Sequence, residues 1–257
     1  MFAAVAELSG GPVCGRMLHG WLFDVVAAGD PGLADRLHSP DRPRPFAWAI
    51  LPGSDADAPA VRLSVWDDAL AHALGGSFPA APGDTARIGG RDRPVRRVFG
   101  PDDPHPWCGR TTWDALRQHA DDVAALTVEF ASATVFRAGD RDLAEPLPRL
   151  IVGSWRRSWR SAGGPEPPDD DTARPVLVDA AVQPALGGPD GRLAGFVGVV
   201  TLSAAGLPEP SRRTLSALSA FAFYCGTGRK TAMAMGLTRR LEGRFPGGDG
   251  VRMTKGG

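Results

Sequence analysis

From Leu126 to Leu241 the chain switches between two hydrophobic periods in a fixed order, and that order restricts the fold more than any other feature. Leu126, Val128 and Phe130 alternate with polar residues, which is the period of a half-buried strand, here read as Leu126–Arg137. Pro148–Ser161 carries Leu150, Ile151, Trp155 and Trp159 near one face and reads as a helix. Val176–Val182 and Ala194–Leu202 read as strands, Pro210–Tyr224 as a helix, and Met233–Leu241 as a closing strand. Strand, helix, strand, strand, helix, strand is the ferredoxin-like order. The first half follows it less cleanly. Phe2–Leu8 is a short strand and Met17–Ala28 a helix. Asp30 caps a second helix, Pro31–His38, with proline at its first position. Phe46–Leu51 and Val61–Trp66 are strands, Trp66–Leu74 is a helix, and Asp84–Phe99 is two strands joined at Gly89-Gly90. The expected fold is therefore α+β: tandem ferredoxin-like (RRM-like) units, each an antiparallel sheet with two helices on one face. The expected boundaries are residues 1–122 and 123–245, followed by a tail at 246–257. The loop Pro101–Pro106 precedes the change of unit.

Composition sets limits on partners. With 29 basic and 29 acidic residues the net charge is +0, which excludes a uniformly basic nucleic-acid binder. Phosphate binding requires local positive potential only, and arginine clusters supply it at Arg91–Arg97, Arg156–Arg160, Arg212–Arg213 and from Arg229 to Arg244. The first two clusters are equally consistent with RNA hairpin binding and with plain surface charge. Cys14, Cys108 and Cys225 are scattered, without the spacing of a zinc site or a disulfide framework. No apolar run approaches the roughly 20 residues of a membrane span, and no signal-peptide pattern opens the chain, so a cytoplasmic protein that does not enter a membrane is expected.

The most specific segment is Gly226-Thr227-Gly228-Arg229-Lys230-Thr231 and its continuation to Gly236. It follows a helix and lacks the spacing of a Walker loop or of a dinucleotide fingerprint. Glycine allows close backbone approach to a ligand, and amides flanked by Arg229 and Lys230 could hold phosphates. A tight helix-to-strand turn with incidental charge accounts for the same residues.

The run from Phe223 to Gly236 resembles the glycine-rich loop of the CRISPR-associated repeat-processing endoribonucleases of the RAMP superfamily, with Ala234 in place of one glycine. Leu18-His19-Gly20, Asp30-Pro31 and Leu37-His38 resemble that family's first helical region. Phe130 to Arg137, Leu150 to Trp159 and Gly195 to Gly198 resemble parts of its second unit. The likeness is strongest in the last third of the chain and weakest from Gly53 to Val123.

Of the five histidines, His38 ends a short helix just before Arg42 and Arg44. A histidine titrates near neutrality and can move a proton in phosphodiester chemistry, whereas a histidine at a helix end can also be a simple C-terminal cap. The family resemblance implies the first role. It makes His38 the acid or base, with Arg44 and Arg42 as electrostatic partners and His19 in reserve. It also implies that Gly226, Gly228, Arg229, Lys230 and Thr231 bind RNA, with Arg156 and Arg157 beside them. His72, His105 and His119 read as surface residues. Two departures from the family pattern stand out. Phe23 occupies the place of a tyrosine, and Arg44 that of a lysine.

What the resemblance implies is an endoribonuclease that cuts precursor crRNA within its CRISPR repeat, a step in antiviral defence. The 2′-hydroxyl attacks the adjacent phosphate, leaving 2′,3′-cyclic phosphate and 5′-hydroxyl ends, with no metal and no cofactor. DNA binds uncut. Effector-complex subunits are further partners, and the protein is a monomer or homodimer. Two other readings stay open: a catalytically silent RNA-binding RAMP subunit, and a ferredoxin-like ligand- or protein-binding module.

Overall fold

The computed structural model describes residues 1–39, 44–54, 58–75, 78, 81–166 and 174–241. In chain order its elements begin with β1 (Phe2–Leu8), α1 (Gly15–Gly29), α2 (Pro31–His38), β2 (Phe46–Leu51), β3 (Ala60–Val65) and α3 (Asp68–Leu74). There follow β4 (Thr85–Ile88), β5 (Arg91–Phe99), β6 (Gly109–Arg110) and α4 (Trp113–Gln118). The second half comprises β7 (Ala125–Thr134), β8 (Phe136–Ala138), β9 (Arg141–Leu143), α5 (Pro148–Ser161), β10 (Val176–Gly187), β11 (Leu193–Ser203), α6 (Glu209–Cys225), a single 3-10 turn (Thr231–Met233) and β12 (Thr238–Arg240).

Local chemistry sets several helix starts. Asp30 accepts from the Leu33 amide at 2.8 Å, Asp67 from Leu70 at 2.8 Å and Thr112 from Ala115 at 3.1 Å. Pro31 and Pro148 stand in the first turns of α2 and α5, where a missing N–H costs no helical bond.

The strand order is β2-β3-β1-β5-β4 in the first sheet, with β6 alongside β1, and β10-β11-β7-β12 in the second. Every pairing is antiparallel. In both sheets the first strand lies between the third and the last, the ferredoxin-like arrangement. The first sheet is buried on both faces. Ala4, Ala6, Leu8, Trp48, Leu63 and Val65 pack with α1, α2 and α3, while Ala3, Val5, Ala49, Leu51 and Ala60 join one hydrophobic cluster with α5 and α6. The RNA-stacking face of an RRM is thus filled here by small residues under α6. The change from one sheet to the other falls between α4 and β7, yet Leu116 and Ala120 share the second half's core.

Some expectations need correction. The closing strand begins at Thr238, not Met233, because Ala234 (φ 62°) and Gly236 (φ 70°) turn the backbone out of strand geometry. The long strand from Leu126 ends at Thr134 and a separate β8–β9 hairpin follows. Within the arginine cluster at Arg91–Arg97, Arg93 is 1% exposed, so it is not surface charge. Its guanidinium donates to the carbonyls of Gly10 (2.8 Å), Gly11 (2.7 Å) and Pro12 (3.1 Å) and fastens the loop that leads into α1. Residues 246–257, Arg244 and part of the acidic loop at 163–171 fall outside the described residues. Among the described residues no helix is long and apolar enough to cross a membrane.

Candidate active site

The glycine-rich loop is seated by a buried polar network. Trp155 of α5 donates its indole N–H to Thr227 Oγ1 at 2.7 Å, and Thr238 Oγ1 lies 2.8 Å from the same oxygen. Ser154 Oγ accepts from the Gly228 amide at 2.8 Å. The amides of Gly226, Thr227 and Arg229 donate to the carbonyls of Ala222, Gly236 and Val135. The amides of residues 226–229 are therefore spent on the protein itself, and the glycines shape the loop. Gly228 (φ 85°) and Gly236 (φ 70°) occupy the left-handed region, and a Cβ on either would strike a backbone carbonyl, that of Val135 or Thr227. Gly236→Ala is accordingly expected to cost about 2–4 kcal/mol of stability and to displace the loop. A thermal melt read beside an RNA-cleavage assay checks it, and an unchanged melt would refute the packing role.

Beyond Arg229 the loop crosses to the first half. Lys230 (φ 61°) is exposed and left-handed, and the 3-10 turn rests on α1, its Met233 carbonyl filling the space where a Cβ of Gly15 would be. Ala232 and Ala234 belong to the first half's core. The loop thus meets α1 just where His19 projects.

His19 and His38 flank one phenylalanine. The His19 ring lies 4.7 Å from Phe23 and 5.9 Å from Phe46, and the His38 ring lies 3.8 Å from Phe23 (centroid distances). His38 stands at the exposed end of α2. His19 is half-buried, shares a hydrogen bond with the backbone of Ala232, and has a buried Nδ1 without a partner among the described residues. Burial, first, and then the positive field of Arg44, with lesser contributions from His38 and Lys230, hold its pKa down to about 4. Arg44, His38 and Lys230 thus each act electrostatically on His19. Arg42 lies outside the described residues.

A measurable consequence follows for stability. Unfolded His19 takes a proton near pH 6.5, whereas folded His19 does so only near 4. Stability from its neutral form is complete above pH 6.5 and is lost as pH falls toward 4. After discount for its partial exposure, His19→Phe should remove on the order of 1–2 kcal/mol of that acid dependence. Urea midpoints at the two ends of this window check it, and an unaltered difference would refute it.

The other sequence-derived residues divide. Arg229 is ion-paired with Asp142 rather than free. Arg156 is buried on α5 and engaged, while Arg157 is exposed on the helix that carries Ser154 and Trp155. Thr231 is half-buried, its side chain next to Gly226. His72 and His119 are exposed, but His105 is half-buried, 4.7 Å from the Phe99 ring, with Nδ1 accepting from the Trp107 amide at 3.2 Å. Phe46 under His19 and the Trp155–Thr227 bond were missed, and no local pattern could have revealed a contact between residues 72 apart.

Residues 128–238 match the family model described as CRISPR-associated endoribonuclease Cas6. No curated protein sequence matches the chain. Among solved structures, a product complex of the Cas6 protein TTHB231 of Thermus thermophilus is 29% identical with a TM-score of 0.80, covering 93% of this chain and 99% of that one. A product complex of the Cas6 protein TTHA0078 is 28% identical with a TM-score of 0.80, covering 93% and 98%. TTHA0078 has also been solved with a substrate mimic and as a histidine-to-alanine mutant. A Cas6-related protein from Pyrococcus furiosus, 14% identical with a TM-score of 0.58 over 95% and 99%, shares the fold alone.

Proposed function

We propose that this chain, which belongs to the CRISPR-associated Cas6 endoribonuclease family, binds CRISPR repeat RNA and cleaves precursor crRNA without a metal ion, by 2′-hydroxyl attack. The observation that supports it best is the contact of exposed His38 with Phe23, which also meets His19, a ring that feels the charge of Arg44 and, from the second half, of Lys230.

In this scheme the O2′–P bond forms and the P–O5′ bond breaks. One proton leaves the 2′-hydroxyl and one arrives at the 5′-oxygen. His38, exposed and set at a helix end, takes one of these transfers. Arg44, with Arg42, and Lys230 stabilise the charge that builds on phosphorus; guanidinium pKa values are too high for proton transfer. Phe23 has no hydroxyl to contribute and serves as the surface on which the His38 ring rests. His19, neutral above a pH of about 4, adds no positive charge at neutral pH and ties α1 to the loop. Gly226 and Gly228 act by shaping that loop, leaving Arg229, Lys230 and Thr231, with exposed Arg157 on α5, to hold RNA, while Arg156, buried and engaged within the protein, supports that helix.

The products would carry 2′,3′-cyclic phosphate and 5′-hydroxyl ends. Labelled repeat RNA from the neighbouring CRISPR array, incubated in EDTA, tests this. A single cut that survives chelation and is blocked by one 2′-deoxy substitution supports the scheme, and a cut that requires added metal defeats it. Phe23 in a tyrosine's place favours a second reading, a silent RNA-binding subunit of an effector complex, which would bind the same RNA and leave it whole.

A further inference from the structure

A second cationic site lies one residue before Lys230, where the β8–β9 hairpin meets the glycine-rich loop. The Arg229 amide donates to the Val135 carbonyl at 3.0 Å, which sets Arg229 beside the start of that hairpin. Its guanidinium is paired through Nη1 with Asp142 Oδ1, and Arg137 Nη1 reaches the same oxygen at 3.4 Å. Arg137 is itself oriented by the turn, donating through Nε to the Gly139 carbonyl at 2.9 Å, with Nη2 3.6 Å from Asp140. Two guanidinium groups from separate segments therefore converge on one anionic oxygen.

We infer that Arg137 and Arg229 form a phosphate subsite for the RNA backbone next to the cleavage position, and that Asp142 occupies it in the RNA-free protein. This rests on the proposed function. Three features carry it. Guanidinium forks match phosphate as well as carboxylate geometry, so the two anions are interchangeable ligands of this pair. The side chains of Arg229, Asp142 and Arg137 are 30%, 29% and 49% exposed, so exchange requires no unfolding. A solvated ion pair contributes little, whereas an RNA phosphate neutralised by arginine also releases counterions, so the swap favours RNA. Arg229 directly precedes Lys230 in the chain, and Lys230 contributes to the field at His19, so the subsite adjoins the proposed site.

The test titrates repeat RNA bearing a single 2′-deoxy substitution at the cut, so that it binds uncleaved, into wild type, Asp142→Asn, Arg137→Ala and Arg229→Ala at several salt concentrations. Asp142→Asn, which removes the competing charge at constant shape, should tighten binding about 2–10-fold at low salt. Arg137→Ala should weaken it several-fold and make the salt dependence shallower by about 0.7, the loss of one phosphate contact to a single strand. Weaker or unchanged binding by Asp142→Asn would mean that the carboxylate merely positions Arg229, and would overturn the subsite. If Asp142→Asn melts early, Arg137→Gln at its more exposed position decides the matter by the same affinity readout. Wild-type cutting of unmodified repeat RNA separates the two levels. With cutting intact and Asp142→Asn without effect, the subsite falls and the proposed function stands; with neither binding nor cutting, both fall.

Discussion

His38→Ala is expected to slow single-turnover RNA cleavage by about 10²–10⁴-fold, the range that one positioned acid or base supplies, while RNA affinity stays within a few-fold of wild type. The expectation rests on elimination within the site as well as on position. Arg44 and Lys230 serve as charge donors to the phosphate rather than as proton carriers. His19 is held neutral by burial and by its cationic neighbours, its Nδ1 is enclosed, and its hydrogen bond with Ala232 uses the ring for structure. Phe23 carries no ionisable group. His38 is left as the exposed imidazole at the end of α2, against Phe23, placed to pass a proton to or from RNA. Because it lies at the end of α2, with its ring against Phe23, truncation leaves Leu33 and Leu37 in the core and should not unfold the helix. The measurement is a rate under enzyme excess with an anisotropy titration beside it. A variant that keeps a tenth or more of the wild-type rate would remove His38 from the chemistry. A wild type that binds and never cuts would instead support the silent subunit.

Much of this site was legible along the chain, and what was not has a common physical origin. Asp30-Pro31 marked the start of α2 because capping is a contact over three residues, and the period of Leu150, Ile151, Trp155 and Trp159 marked α5 because amphipathicity is local. The strand-helix order then implied the two ferredoxin-like sheets. What stayed hidden depends on pairs far apart in sequence. The seat of the glycine-rich loop joins Trp155 to Thr227, and its crossing to α1 joins Met233 to Gly15. A strand read through Met233 failed because Ala234, an ordinary residue, is held left-handed by that crossing. Charge was misleading in the same way. Along the chain Arg93 reads as one of a cluster of surface arginines, but carbonyls of the Gly10–Pro12 loop, more than 80 residues away, surround it. His105 reads as surface because nothing local shows its packing on Phe99.

The same blindness hid Arg62, whose replacement by methionine is expected to destabilise the protein by about 3 kcal/mol, lowering the melting temperature by roughly 6–12 °C. Arg62 sits in β3, in a stretch whose alternation reads as an ordinary strand, yet it is 1% exposed. It faces the second half. Nε donates to the Trp107 carbonyl at 2.8 Å, Nη2 to the Phe223 carbonyl at 2.6 Å and Nη1 to Ser64 Oγ at 3.2 Å, and the guanidinium lies 4.5 Å over the Phe223 ring. Ser64 in turn donates to the Tyr224 carbonyl at 2.6 Å. Phe223 and Tyr224 end α6, so a buried cation meets the negative end of a helix and satisfies carbonyls that have no partner within it. Burial pushes the guanidinium pKa down to about 10, which still leaves it charged at neutral pH. Methionine fills much of the volume but leaves the Phe223 and Trp107 carbonyls unpaired, and that desolvation cost exceeds the value of the lost bonds. Ser64→Ala, which orphans a single carbonyl, should cost only about 1 kcal/mol. Function should follow stability here. The residue after α6 is Gly226, so the end of α6 that Arg62 holds against β3 is also the root of the loop that carries Lys230 toward His19 and His38. Below its own melting point, Arg62→Met should therefore cut more slowly at saturating RNA while Kd changes less. Melting within about 2 °C of wild type would show that the two halves do not depend on this residue for their docking.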